Sequence, residues 1–211
     1  MLLEFISIIM NLKKAFSEIN NLLDLLYHDR ENILHLSRDV VRDCSIGIKH
    51  IHRQEFEKFQ EKVNVVKANH GNLVKLVNKN PGIFSKYLKT PEQEYTELIA
   101  FHSIINNTNI PTPSEMKIDP LNYALGLADV IGELRRYALD NIRNDHIEGL
   151  NNILENMDEI YTYLFSIDYP VGVTQDLRRK VDVARNIIEK TRGDVSLAIQ
   201  MNDLKKCFKN E

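Results

Sequence analysis

Apolar residues in the first eighty positions return every three or four residues. Leu12, Phe16, Ile19, Leu23 and Leu26 form one series, and Ile33, Leu36, Val40, Cys44, Ile48 and Ile51 another. That spacing marks one face of an α-helix. It predicts a long first helix ending around Arg53, with a candidate interruption near Asp29 and Arg30, and a second helix from about Gln54 to Val77. A third helix is expected to start between Pro81 and Pro91, with Thr90 as its N-cap, and to end near Asn106. The proline-rich stretch 108–120 reads as a loop. Asp119 and Pro120 then open a fourth helix to about Arg143. A fifth covers roughly Ile147 to Phe165 and a sixth roughly Thr174 to Thr191, with a short last helix after Gly193 and a frayed end. No segment alternates with period two. The pattern predicts one all-α domain of six or seven helices.

Composition agrees. The chain has 211 residues, 8 Gly and 6 Pro, with none of the prolines in residues 1–80 or 121–169. A β-rich chain would need turn residues every 8–12 positions or so. A chain of this length buries roughly 70 % of its unfolded surface, so it needs no disulfide or metal to fold. Cys44 and Cys207 form no CxxC pair, which fits a reducing, cytoplasmic setting. The first ten residues are largely apolar but contain Glu4 and fall short of the ~20 residues of a membrane span. They read as a helical extension that packs on the bundle or a partner.

Two acid pairs stand out. Glu94 and Glu97 are three apart, and Asp129 and Glu133 four apart, so each pair shares a helix face. The second pair lies in the nearly apolar run from Tyr123 to Gly132. A buried carboxylate needs a cation or a metal, or it protonates. If the two helices pack together, four carboxylates converge. An all-oxygen cluster of that kind suits Mg²⁺ or Mn²⁺. The competing reading is an acid pair satisfied by Arg135, Arg136 or another cation. A di-iron bundle would want Glu-x-x-His on two helices, and Ala100 and Arg136 stand where the histidines would be.

At 100° per residue from Arg38, Lys49, Arg42 and Arg53 fall at about 20°, 40° and 60°, a basic stripe roughly 22 Å long. His35 and His52 lie at or near the same arc. Phosphates of a nucleic-acid strand could follow such a stripe, although a solvated helix face gives the same pattern. Arg178, Arg179 and Lys180 form another cation cluster, read most simply as surface.

The segment from Gly126 to Arg136, GLADVIGELRR, closely resembles the signature of the translin superfamily, and within it the Trax branch. QEYTE at 93–97 with Phe101, LSRD at 36–39 with His52 and Arg53 downstream, and RRKVDV at 178–183 are similar to further Trax segments. The resemblance covers about residues 12–192 and is nearest to a short, archaeal type of Trax-like protein that self-assembles. It implies a seven-helix translin-type fold and an octamer-like oligomer enclosing single-stranded RNA, or single-stranded DNA. It also implies a Mg²⁺-dependent endoribonuclease. Its catalytic, metal-holding acids map onto Glu94, Glu97, Asp129 and Glu133. The RNA-binding set joined to them is Arg38, Arg42, Lys49, His52, Arg53 and Arg136. The translin branch, which lacks the full acid set, implies the alternative of a non-catalytic nucleic-acid-binding assembly.

The net charge of −3 first argues against a nucleic-acid partner. Within residues 35–75, however, eight Lys and Arg face five Asp and Glu, a local balance of +3. The total hides segregation, and only binding driven by bulk charge is excluded.

Overall fold

The computed structural model describes residues 2–209, with side chains from 11 to 208. Its helices are α1 (Leu2–His52), α2 (Phe56–Val77), α3 (Pro81–Phe84), α4 (Lys89–Ile105), α5 (Pro113–Met116), α6 (Pro120–Arg143), α7 (Leu150–Phe165), α8 (Val171–Thr174) and α9 (Leu177–Lys209). Six are long; α3, α5 and α8 are single turns, and a 3₁₀ turn, Ser85–Tyr87, leads into α4. No strand occurs among the described residues, as the periodicity predicts. No described helix is long and apolar enough to cross a membrane.

The packing order explains where the site lies. The helix α1 packs on α2 and α4, α4 on α6, α6 on α7 and α9, and α7 on α9. Thus α4 and α6 form the centre, and their short buried residues Ala100, Ala124, Ala128 and Ala138 let neighbours approach. The inward face of α1 is Ile33, Val40, Cys44, Ile48 and Ile51, the second apolar series of the sequence. The first series behaves differently. Leu12, Phe16, Ile19 and Leu23 are about half exposed, on a part of α1 that outruns the bundle.

Four boundary expectations need correction. The first helix is not interrupted: Asp29 accepts from Lys79 Nζ at 2.9 Å, Arg30 Nε donates to Tyr87 Oη at 3.2 Å, and Ile33 packs with Leu73, Val77 and Phe84. The polar pair is held by the end of α2 and the 3₁₀ turn. Thr90 does not cap α4, because the chain enters that helix already turning, with Leu88 in the helical region. Pro91 sits where its missing N–H costs nothing; the first bond of the helix is Glu92 N–H to Leu88 O at 3.0 Å. Gly193 does not break α9. Thr191 and Val195 are fully buried on either side of it, and Arg135 of α6 reaches Thr191 Oγ1 at 3.0 Å and Asp194 at 2.9 Å. A helical glycine costs about 1 kcal/mol relative to alanine, and this packing outweighs it. Finally, α7 begins at Leu150, after Gly149 at φ +82°, rather than at Ile147. The Asp119 cap forms as expected, its carboxylate accepting from Leu121 and Asn122 N–H at 2.9 and 3.1 Å. Of the extension at residues 1–11, all side chains but that of Asn11 lie outside the described set, as do residues 210–211 of the tail.

Candidate active site

The site depends on how closely α4 and α6 approach. A Cβ on Gly126 would lie 2.5 Å from Gln93 O and 2.7 Å from Thr96 Cβ, so only glycine fits this contact. Register along the pair is set by Glu92, which is 2 % exposed. Its carboxylate accepts from Asn122 Nδ2 at 2.8 Å and the Asp119 N–H at 3.2 Å, and His70 Nε2 lies 3.4 Å away on α2. Glu92 therefore ties the first turn of α4 to the capped start of α6. One turn further, Glu94 and Glu97 face Asp129 and Glu133.

The four acids repel one another. Burial, and then the charge of Asp129, raise the Glu94 carboxyl above its ordinary value. Burial, followed by Glu94, Asp129 and Glu133, pushes Glu97 up to about 8. Neither Glu94 nor Glu97 has a hydrogen-bond donor or ion-pair partner among the described residues. A cleft of about 260 Å³ opens beside them, lined by Ser45, Ile48, Lys49, Glu94, Glu97, Glu133 and Arg136. Behind it, burial holds the Cys44 thiol well above its usual range, with Glu94 adding to the shift, so Cys44 is inert core.

Two of the acids are drawn to protein partners. Lys180 Nζ on α9 donates to Asp129 Oδ2, and also to Gln93 Oε1 at 3.2 Å and Leu125 O at 3.3 Å. His52 Nε2 donates to Glu133 Oε2 at 2.6 Å, and Arg136 lies 3.7 Å from the same oxygen. Accordingly, no three His, Cys, Asp or Glu side chains among the described residues stand ready to share one ion. The donor chemistry nonetheless suits a hard divalent cation: all-oxygen, rich in carboxyl groups and short of positive charge at Glu94 and Glu97.

Of the basic set, Arg38, Arg42 and Lys49 are exposed along α1 and Arg53 just beyond its end, and Lys49 and Arg136 border the acid cleft. Arg42 is engaged by Asp39 at 2.9 Å and lies 3.9 Å from Asp43, which Lys62 also holds at 3.1 Å. His35 pairs with Asp39 at 3.0 Å. His52 does not belong to the exposed stripe. Its side chain is 6 % exposed and lies against Phe101 and Tyr137, with ring centroids at 5.0 and 6.3 Å. At 100° per residue His52 lies about −40° from Arg38, which turns it toward α6, so it meets an acid rather than solvent.

Sequence reasoning missed Lys180 as a site residue, Glu92 as a strut and the His52–Glu133 link. A signal for Lys180 existed. Leu177, Val181, Ala184 and Ile188 form a buried face of α9, and Lys180 stands at its edge while Arg178 and Arg179 are exposed. Arg135, an expected partner for the acids, is spent on Thr191 and Asp194.

Comparison with known proteins places this arrangement in context. The Translin family model matches residues 28–193. The chain is 38 % identical over 200 residues to uncharacterized protein MJ0175 of Methanocaldococcus jannaschii, covering 92 % of this chain and 89 % of that one. It is 22 % identical over 200 residues to the translin-associated protein X homolog of Schizosaccharomyces pombe, covering 86 % of each. The fold is similar to that of AfC3PO in a complex with duplex RNA, with TM-score 0.82, 28 % identity and coverage of 88 % and 97 % of the two chains. The apo-NeC3PO crystal structure matches with TM-score 0.80 and 21 % identity, covering 87 % and 96 %.

Proposed function

We propose that this chain, which belongs to the Translin family, binds RNA as a translin-type homo-oligomer and cleaves single-stranded RNA with Mg²⁺. The observation that carries this reading is the convergence of Glu94, Glu97, Asp129 and Glu133 from two central helices beside a basic face. The duplex-RNA complex of the similar AfC3PO structure supports RNA as the ligand.

In this reading Glu94, Glu97, Asp129 and Glu133 hold one or two Mg²⁺ or Mn²⁺. A divalent ion there supplies charge neutralisation at the attacked phosphate and a water of lowered pKa. The protein's own groups do the rest. Lys49 and Arg136 meet the phosphate at the rim of the cleft, and Arg38 on α1 and Arg53 just past its end hold the strand to either side. His52 fixes Glu133. A carboxylate left free of metal orients water or takes its proton. Contacts to phosphate alone read no bases, so cleavage is insensitive to sequence.

Assembly is supported by two unpartnered apolar stripes at helical spacing. Leu12, Phe16, Ile19 and Leu23 on α1 are 48–61 % exposed, and Leu197, Met201, Leu204 and Phe208 on α9 are 55–70 % exposed. An octamer-like shell would cover both; light scattering tests it, and a monomer at micromolar concentration would contradict it.

The second reading, a non-catalytic assembly binding single-stranded RNA or DNA, draws on Lys180 and His52, which already satisfy two acids. Labelled single-stranded and duplex RNA, incubated with Mg²⁺ or EDTA and with wild type or Glu97→Ala, separates the two. Cleavage only by wild type with Mg²⁺ supports the enzyme. Salt-sensitive binding that survives Glu97→Ala, without cleavage, supports the binding assembly.

A further inference from the structure

Lys180 is an unusual member of its cluster. Arg178 is exposed and pairs with Asp168 at 3.1 Å, and Arg179 is exposed as well. Lys180 instead points into the bundle, its side chain 19 % exposed. An ammonium carries three N–H donors, and here three acceptors take them: Asp129 Oδ2, Gln93 Oε1 and Leu125 O. One acceptor is a carboxylate of the candidate site. The other two are neutral oxygens, one on α4 and one on α6. A strut that merely tied α9 to the central pair would be served by the neutral oxygens. The charge is needed only because Asp129 is there.

On the reading that the four acids hold a divalent ion, we infer that Lys180 is the resident counter-ion of that site. It neutralises Asp129 in the metal-free protein and yields that carboxylate to an incoming cation, keeping Gln93 Oε1 and Leu125 O as its acceptors. The lysine thus competes with metal for one carboxylate. It holds the empty acid cluster together and weakens metal binding by the same contact, since the two cations share one acceptor and binding couplings are reciprocal.

Mn²⁺ binding by calorimetry and metal-free thermal unfolding test this in the full chain. Lys180→Met is expected to lower the unfolding midpoint without metal and to tighten Mn²⁺ binding by at least about fivefold. Arg179→Met, which removes a neighbouring charge that touches none of the acids, is expected to leave Mn²⁺ affinity within about twofold because exposed charges are screened. A strut role alone gives Lys180→Met a lower midpoint with unchanged or weaker affinity, and that result overturns the inference. Equal tightening in both variants also overturns it. Absence of Mn²⁺ binding in wild type and Lys180→Met alike overturns the metal reading together with it; binding of equal strength in the two overturns the Lys180 role alone. Acylation of the Lys180 amine in wild type, followed by mass spectrometry, needs no variant. Release from Asp129 raises its labelling severalfold when Mn²⁺ is added, and an unchanged rate contradicts the exchange.

Discussion

His52 and Glu133, 81 positions apart in sequence, meet at 2.6 Å between Nε2 and Oε2. The imidazole is packed between Phe101 and Tyr137, so it has little freedom to turn, and it holds Glu133 toward the cleft. On the proposed function Glu133 holds a metal ion, and partners that orient such a side chain are typically worth about 10- to 100-fold in activity. His52→Ala is therefore expected to lower kcat for RNA cleavage by that factor with KM within about twofold, and His52→Gln, which keeps a donor, to recover part of it. A change in KM with kcat intact would instead make His52 an RNA contact.

The two glycines of GLADVIGELRR are expected to respond in opposite directions. Gly126→Ala places a methyl 2.5 Å from Gln93 O, which is backbone and cannot turn aside. Overpacking of this kind costs about 1–3 kcal/mol, and it pushes the two acid pairs apart. Gly132→Ala meets nothing within 4 Å and replaces a poor helix former, a gain of up to about 1 kcal/mol. Chemical denaturation of both variants checks this. Equal destabilisation would show that the α4–α6 contact is looser than described.

Glu97 makes stability depend on pH. Its folded-state carboxyl titrates at about 8 against an ordinary 4.5, so the folded chain keeps a proton that the unfolded chain releases above pH 4.5. Stability consequently falls as pH rises from 4.5 to about 8 and then levels. At about 1.4 kcal/mol per unit the loss is on the order of a few kcal/mol, shared with the coupled acids. Glu97→Gln is expected to unfold at a higher temperature than wild type at pH 8 and at nearly the same temperature at pH 4.5. A constant difference across that range would contradict the assignment.

The exposed stripe predicts a graded salt response. Neutralising Arg38, Lys49 or Arg53 singly is expected to reduce the slope of log K against log salt by about 0.7 for single-stranded RNA. Arg42, already held by Asp39 and near Asp43, is expected to change it least. Filter binding between low and moderate salt measures this, and an unchanged slope in all four variants would move the RNA elsewhere.

These relationships differ in how far the chain itself reveals them. The α-helical period, the Asp119 cap and the two acid pairs are local, and reading residues three and four apart suffices. Gly193 and Thr90 mislead because their neighbours decide: buried Thr191 and Val195 carry α9 across the glycine, and a preceding 3₁₀ turn starts α4 early. Lys180 and Glu92 are harder. Each meets its partners across helices: the apolar face of α9 sets Lys180 apart from the exposed arginines beside it, but only the packing of α9 on α6 shows that it meets Asp129. The stripe of α1 was legible to within one residue, since His52 shares its arc closely enough to be grouped with it yet turns inward.

End-group analysis of cleaved RNA tests the central claim most directly. Wild type with Mg²⁺ is predicted to leave 5′-phosphate and 3′-hydroxyl ends, the products of water attack with departure of the 3′ oxygen, and Asp129→Asn is predicted to leave the RNA intact. A 2′,3′-cyclic phosphate, or undiminished cleavage by Asp129→Asn, would contradict a metal-assisted hydrolysis at the four acids.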